Sequence, residues 1–94
     1  MTMFVVERRL PNLSGPDLAL LHQALAFACD RLTSRGEPVR CLGSTFLPAQ
    51  SRLLTLFEAE GAGVVRRVNE SVHTPFVSLE AAVKIDPPRS LAGV

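Results

Sequence analysis

The sequence predicts an α+β fold in which a four-stranded antiparallel sheet carries two helices on one face. Three observations lead to this prediction. Strand-like and helix-like segments follow one another in the order β-α-β-β-α-β along 94 residues. Only a short turn separates the two middle strands, which is typical of a hairpin. Each β-α-β crossover is expected to be right-handed, and two crossovers joined by a hairpin give the ferredoxin-like arrangement.

The first strand and the long helix are the clearest elements. The strand runs from Met3 to Leu10 and stops at Pro11. Ser14 or Asp17 is expected to accept hydrogen bonds from the first helical N–H groups, and Gly36 is a natural helix stop. Between them, apolar residues recur at steps of three and four, which places them on one helical face. These residues are Leu18, Leu21, Leu25, Ala28 and Leu32.

The second half of the chain repeats the pattern with shorter elements. The second strand lies between Pro38 and Pro48, and Gly43 inside it marks a bulge or a close backbone approach. The third strand covers 52–60, and a shorter helix with inward valines covers 61–73. The last strand, 76–87, alternates strictly. Its inward residues are expected to be Val77, Leu79, Ala81, Val83 and Ile85, with Ser78, Glu80, Ala82 and Lys84 on the other face.

Length and composition indicate one domain, expected to cover 1–88 with a flexible C-terminal tail at 89–94. Hydrophobic residues make up 47% of the chain, which is high for so small an interior. A tightly filled monomer core would explain this composition. A second apolar surface buried between two copies explains it better, because obligate interfaces resemble a divided core. We therefore expect a symmetric homodimer.

Charge and targeting signals exclude several classes of function. Ten basic and nine acidic residues give a net charge of +1, so no strong field attracts nucleic acid or an anionic membrane. No apolar stretch reaches the length of a membrane span, and the start of the chain lacks the pattern of a signal peptide. Two cysteines do not form a disulfide framework. A cytoplasmic protein is the expectation.

The charged residues of the first strand lead to a candidate ligand site. If Val6 packs under the helices, the two-residue period sends Glu7 and Arg9 to the bare face of the sheet, where a second copy would enclose them. Glu80 of the last strand is expected on the same face. The alternative is that these charges lie at a strand end in solvent. In an enclosed site, burial would raise the pKa of Glu7 toward the range of a cation ligand or general base.

Four segments resemble a small bacterial family of ferredoxin-like proteins that includes nickel-binding and uncharacterised members. The segments are FVVERRLPNLS, GSTFLP, LTLFEAE and TPFVSLEAAVKIDP, and together they extend from Phe4 to Pro87. Their order and spacing carry the resemblance, since each motif is short. It implies a dimeric α+β barrel that binds a transition metal, such as nickel or zinc, or a small ligand.

The chain departs from the family pattern at several positions where that family carries metal-binding or aromatic side chains. Cys41, Gly43 and Thr45 replace an aromatic residue, a histidine and a second aromatic residue, and Thr55 replaces a cysteine. The usual Gly-Leu-Pro turn has become 73–75, His-Thr-Pro. These changes remove ligands from the strands and introduce Cys41 and His73 as new ones.

The candidate metal ligands are therefore His73, Cys41 and His22, because a thiolate and imidazoles suit nickel, copper or zinc. Each also has an ordinary structural interpretation: His22 on a helix surface, Cys41 in the core or an interface, and His73 in a loop. The alternative function is a small isomerase or cofactor-free monooxygenase, which would need Glu7, Glu80 or His73 as a base. A third alternative is an interaction module that has no reactive or ligand-binding cavity.

Overall fold

Four strands and two helices follow one another in the predicted order in a computed structural model, which describes residues 1–88. The strands are β1 (Thr2–Arg9), β2 (Val39–Leu47), β3 (Arg52–Ala59) and β4 (Ser78–Ala82), and the helices are α1 (Gly15–Ser34) and α2 (Ala62–Ser71). The tail predicted at 89–94 lies outside the described residues. Neither α1 nor α2 has the length and apolar character that a bilayer span requires.

The strands form one antiparallel sheet in the order β2-β3-β1-β4, so β1 and β3 are central. This topology confirms the predicted ferredoxin-like fold. Both helices pack on the same face, where their side chains share one core with alternate residues of the strands. The buried apolar residues of that core are Phe4, Val6, Leu21, Leu25, Ala28, Cys29, Val39, Leu53, Phe57, Ala59, Val65 and Val68.

Local sequence signals fix the ends of α1 and the bend of β2. The Ser14 side chain accepts from the backbone N–H of Asp17, whose carboxylate accepts in return from the Ser14 N–H. This reciprocal cap begins the helix. Gly36 has a φ of 86° just after the helix end. In β2 the register shifts between Cys41 and Gly43, where Gly43 has a φ of 129°, confirming the predicted bulge.

The last strand is shorter than the sequence predicts. Strand β4 ends at Ala82, opposite Met3 near the start of β1, so no partner strand extends beyond it. Four residues that were expected to face inward are exposed: Val77, Ala81, Val83 and Ile85. The alternating pattern was identified correctly, but β4 lies at the sheet edge and has only β1 to pair with.

Arg8 is fully buried on the helix-covered face, and its partners could not be predicted from the sequence. Its Nη1 donates to Asn69 Oδ1 at 2.9 Å, and its Nε donates to the carbonyl of Thr74 at 3.1 Å. The guanidinium lies 5.8 Å from the ring centre of Phe76. No carboxylate pairs with it within residues 1–88. Burial lowers the pKa of Arg8 to about 10, which still leaves it charged at neutral pH.

Replacing Arg8 tests whether these neutral partners hold the α2–β4 connection. Arg8→Ala leaves a cavity and two buried acceptors without donors, so the free energy of unfolding should fall by about 3–5 kcal/mol. Arg8→Met keeps most of the volume and should cost less, about 1–2 kcal/mol. Urea unfolding of both variants measures this. A loss below about 1 kcal/mol for Arg8→Ala would show that the contacts are dispensable.

Candidate functional site

The face of the sheet opposite the helices has no cover among residues 1–88 of one copy. Because Phe4, Val6 and Arg8 are buried beneath the helices, the residues between them face the other way. The same alternation holds in β3 and β4. This bare face is formed by Met3, Val5, Glu7 and Arg9 of β1, Arg52, Leu54, Leu56 and Glu58 of β3, Ser78, Glu80 and Ala82 of β4, and Arg40, Thr45 and Leu47 of β2. Its apolar residues are half-buried by their neighbours.

Glu7 lies between two arginines on this face. Arg52 Nη2 donates to Glu7 Oε1 at 2.9 Å, and Arg52 Nε donates to Oε2 at 3.2 Å. Arg9 Nε donates to the same Oε2 at 2.9 Å. The side chain of Glu7 is only 15% exposed, whereas that of Arg9 is 61% exposed. We call these three residues the Glu7 cluster, and its net charge is +1.

The sequence correctly placed Glu7 and Arg9 on one face but did not identify Arg52. Residue 52 is paired with residue 9 across the β1–β3 ladder. Two like charges directly opposite each other repel. The carboxylate of Glu7 removes that repulsion by bonding to both guanidinium groups. The missing signal was the register of β3 against β1, which the sequence does not state.

The arginines lower the pKa of Glu7 to about 2, chiefly through the hydrogen bonds from Arg52 and then from Arg9. The expectation that burial would raise this pKa is therefore wrong, because two cationic donors outweigh the loss of hydration. Glu7 stays ionised throughout the physiological range. A carboxylate so strongly held is a poor general base.

Glu80 shares the bare face but does not join the Glu7 cluster. It is opposite Val5 in the β1–β4 ladder, while Glu7 is opposite Ser78, so Glu80 is a diagonal neighbour of Glu7. Its side chain is exposed, and it makes no ion pair with any side chain of residues 1–88. The predicted site residues Glu7, Arg9 and Glu80 thus lie on one surface, with only the first two in contact.

His22 belongs to a hydrogen-bonded chain on the helix-covered side. Its Nε2 lies 2.5 Å from the Ser44 hydroxyl, which lies 2.7 Å from the hydroxyl of fully buried Thr55. The bulge in β2 sets this geometry: after the shift, Ser44 rather than Thr45 lies on the side of Thr55. These hydrogen bonds connect α1 to β2 and β3 and give the buried hydroxyl of Thr55 a partner.

Cys41 lies on the helix-covered side of β2, near Cys29 of α1, and both thiols are free. Loss of hydration raises the pKa of Cys29 to about 12 and also raises the pKa of Cys41. The thiolate is the form that binds metals and attacks electrophiles. Both cysteines therefore behave as small core residues.

His73 lies in the connection between α2 and β4, beside a groove of about 770 Å³. We call this the α1 groove, since α1 forms one wall and residues 71–74 form the other. Across residues 1–88, no three His, Cys, Asp or Glu side chains are grouped so that they could hold a metal ion. The predicted ligands His73, Cys41 and His22 are therefore not brought together in one copy.

Comparisons with known proteins support the fold. No protein-family model and no curated protein gives a significant match to the chain. Among solved structures, the chain is similar to SCO4226 from Streptomyces coelicolor A3(2), with a TM-score of 0.65 and 22% sequence identity. The alignment covers 94% of this chain and 98% of that one. At this identity the likeness establishes the shared fold.

The low pKa of Glu7 predicts an acid-sensitive contribution to stability. Because the folded-state pKa of about 2 lies below the ordinary value, the contribution is complete above pH 4.5 and is lost as the pH falls toward 2. Glu7→Gln removes this contribution. The difference in the free energy of unfolding between wild type and variant should therefore become smaller as the pH falls from 4.5 toward 2. Urea unfolding at several pH values measures the difference.

Glu80→Gln is the matched control for this experiment, since Glu80 is a carboxylate on the same face without an ion pair among residues 1–88. Its stability difference from wild type should show a weaker dependence on pH. Equal pH dependence in the two variants would contradict the role given to Arg9 and Arg52.

Proposed function

We propose that the chain is a cytoplasmic homodimer that binds a small anion with an apolar body and is not strongly catalytic. The observation that carries this proposal is the Glu7 cluster: two arginines and one carboxylate, with a surplus positive charge, on an uncovered and half-apolar sheet face. Apolar side chains of β1 and β3 surround it. A second copy packed against this face would enclose both surfaces.

The size and composition of the bare face support pairing of two copies. Four strands about 4.8 Å apart, with eight residues in each of the two central strands at about 3.3 Å per residue, give a footprint of roughly 19 Å by 26 Å. The corresponding area is at the low end of the range for specific protein–protein interfaces. Val5 and Leu56 lie opposite each other at its centre, where β1 meets β3. Left in water, such a face invites unspecific association.

The charges of the Glu7 cluster favour an anionic ligand. Arg52 uses its Nε and Nη2 on Glu7 and its Nη1 on Gln50. Arg9 uses only its Nε on Glu7, and its two other nitrogens make no hydrogen bond to residues 1–88. These N–H groups match the geometry of a carboxylate or phosphate. Neighbouring Val5 and Leu54 offer contact to an apolar body.

The metal and enzyme alternatives have less support from this geometry. The candidate metal ligands lie apart, and none of them is on the bare face. The enzyme alternative needs a base, and one of its three candidates, Glu7, has a pKa of about 2. His73 lies by the α1 groove on the other side of the sheet.

A charge placed at the centre of the bare face tests the dimer. Leu56→Glu brings two carboxylates together across the proposed two-fold axis, so the variant should be monomeric at concentrations where wild type is dimeric. Sedimentation equilibrium measures the mass. Ala81→Glu is the control, since Ala81 is exposed on the opposite face of the same sheet. A wild-type monomer, or a dimer unaffected by Leu56→Glu, contradicts the proposal.

Thermal shifts with defined probes test the ligand. Benzoate should raise the Tm of wild type by mass action, whereas neutral benzamide of the same shape should not. Arg9→Gln should abolish the benzoate shift and leave the Glu7–Arg52 pair intact. Nickel and zinc should not raise the Tm. A Tm that rises with nickel or zinc but not with benzoate would favour the metal alternative and overturn the proposal of an anion site.

A further inference from the structure

A second apolar stripe runs along α1, beside the one that faces the core. It consists of Leu20, Ala24 and Phe27, with Asp17 before it and Arg31 after it, at steps of three, four, three and four. This spacing is typical of a helix that packs along another helix. Leu20 is 64% exposed and Phe27 is 69% exposed, so nothing within residues 1–88 covers them.

The stripe is complementary to itself in an antiparallel arrangement. Ala24 is at its centre, and the acidic Asp17 and the basic Arg31 each lie seven residues from it. If two copies of α1 cross at Ala24 in opposite directions, Asp17 of each copy meets Arg31 of the other. Leu20 of one copy then meets Phe27 of the other. A two-fold interface requires this kind of self-matching surface.

We propose that the stripe docks against α1 of a second copy of this chain, antiparallel and centred on Ala24. Arg31 makes no ion pair with any other side chain of residues 1–88, so its charge is available to a partner. Asp17 is exposed in the first turn of the helix. Its carboxylate accepts a hydrogen bond from the Ser14 hydroxyl and can accept further hydrogen bonds. The charge pattern therefore favours this partner over a neutral apolar molecule.

The α1 groove provides space beside the stripe. Leu20, Ala24 and Phe27 line it on one side, and Val72 and His73 lie on the other. Large side chains of an approaching helix can enter this open groove, while the small Ala24 allows the two backbones to come close. From residue 17 to residue 31 the contact is about 21 Å long.

This contact is smaller than the bare sheet face and lies on the other side of the molecule. It is therefore expected to be weak and to appear at high protein concentration. Where the sheet faces pair, each dimer carries one stripe at each end, so the contact joins dimers into tetramers and then into longer species. Where the sheet faces do not pair, it joins monomers into dimers. The two contacts can thus be tested separately.

Substitution of Phe27 tests the apolar part of the contact. Sedimentation velocity over a wide concentration range should show that wild type gains a species of twice the mass, and that Phe27→Glu lacks it. Ala26→Glu is the control, because Ala26 is exposed on another face of the same helix. Since Phe27 is largely exposed, the variant should fold, which far-UV circular dichroism checks. No doubled species in wild type would overturn the proposal.

Charge exchange tests the antiparallel register. Arg31→Asp alone places Asp opposite Asp17 of the second copy, and Asp17→Arg alone places Arg opposite Arg31, so each variant should lose the doubled species. An equal mixture restores both pairs and should regain it. Self-association that is unchanged in the single variants, or no recovery in the mixture while each variant remains folded, would exclude this register and this proposal. Failure of the Leu56→Glu experiment would leave this result unaffected.

Discussion

The organisation of this protein depends on the two-residue period of its first strand. Strand β1 is central, so its two faces look into different surroundings: the helix-covered core and the bare face of the sheet. Phe4, Val6 and Arg8 enter the core, and Glu7 and Arg9 do not. A shift of one residue in register would exchange these sets and place the carboxylate beneath the helices. Every candidate function on the bare face follows from this alternation.

Adjacent residues of β1 show how surroundings decide the role of a charge. Arg8 is fully buried and has no carboxylate partner among residues 1–88. Neutral hydrogen-bond acceptors and the ring of Phe76 contact its guanidinium group instead. Such a cation orders the connection that leads into β4, because its donors need acceptors at fixed positions. Glu7 is less deeply covered and holds two guanidinium groups. The first residue joins elements within one copy, and the second holds two arginines together on the bare face.

Two apolar surfaces are left uncovered by residues 1–88, and they differ in character. The bare sheet face is broad and carries the Glu7 cluster at one end of the β1–β3 ladder. The stripe on α1 is narrow and bears opposite charges at its two ends. Because the sheet separates them, one can pair copies without blocking the other. The high apolar content of a short chain is thus divided between the core and these two surfaces.

The order of elements, the ferredoxin-like fold, the irregularity at Gly43 and the shared face of Glu7 and Arg9 could be predicted from the amino-acid pattern, because they follow from local period, caps and turn residues. The remaining features depend on how the strands pair in three dimensions. This pairing brought Arg52 to Glu7 and lowered the pKa that local reasoning expected to rise. It ended β4 at Ala82, where the sheet edge has no further partner. The physical reason is the same in each case: pairing between distant strands sets which side chains meet, and a one-dimensional pattern fixes the face of a residue but not its neighbours.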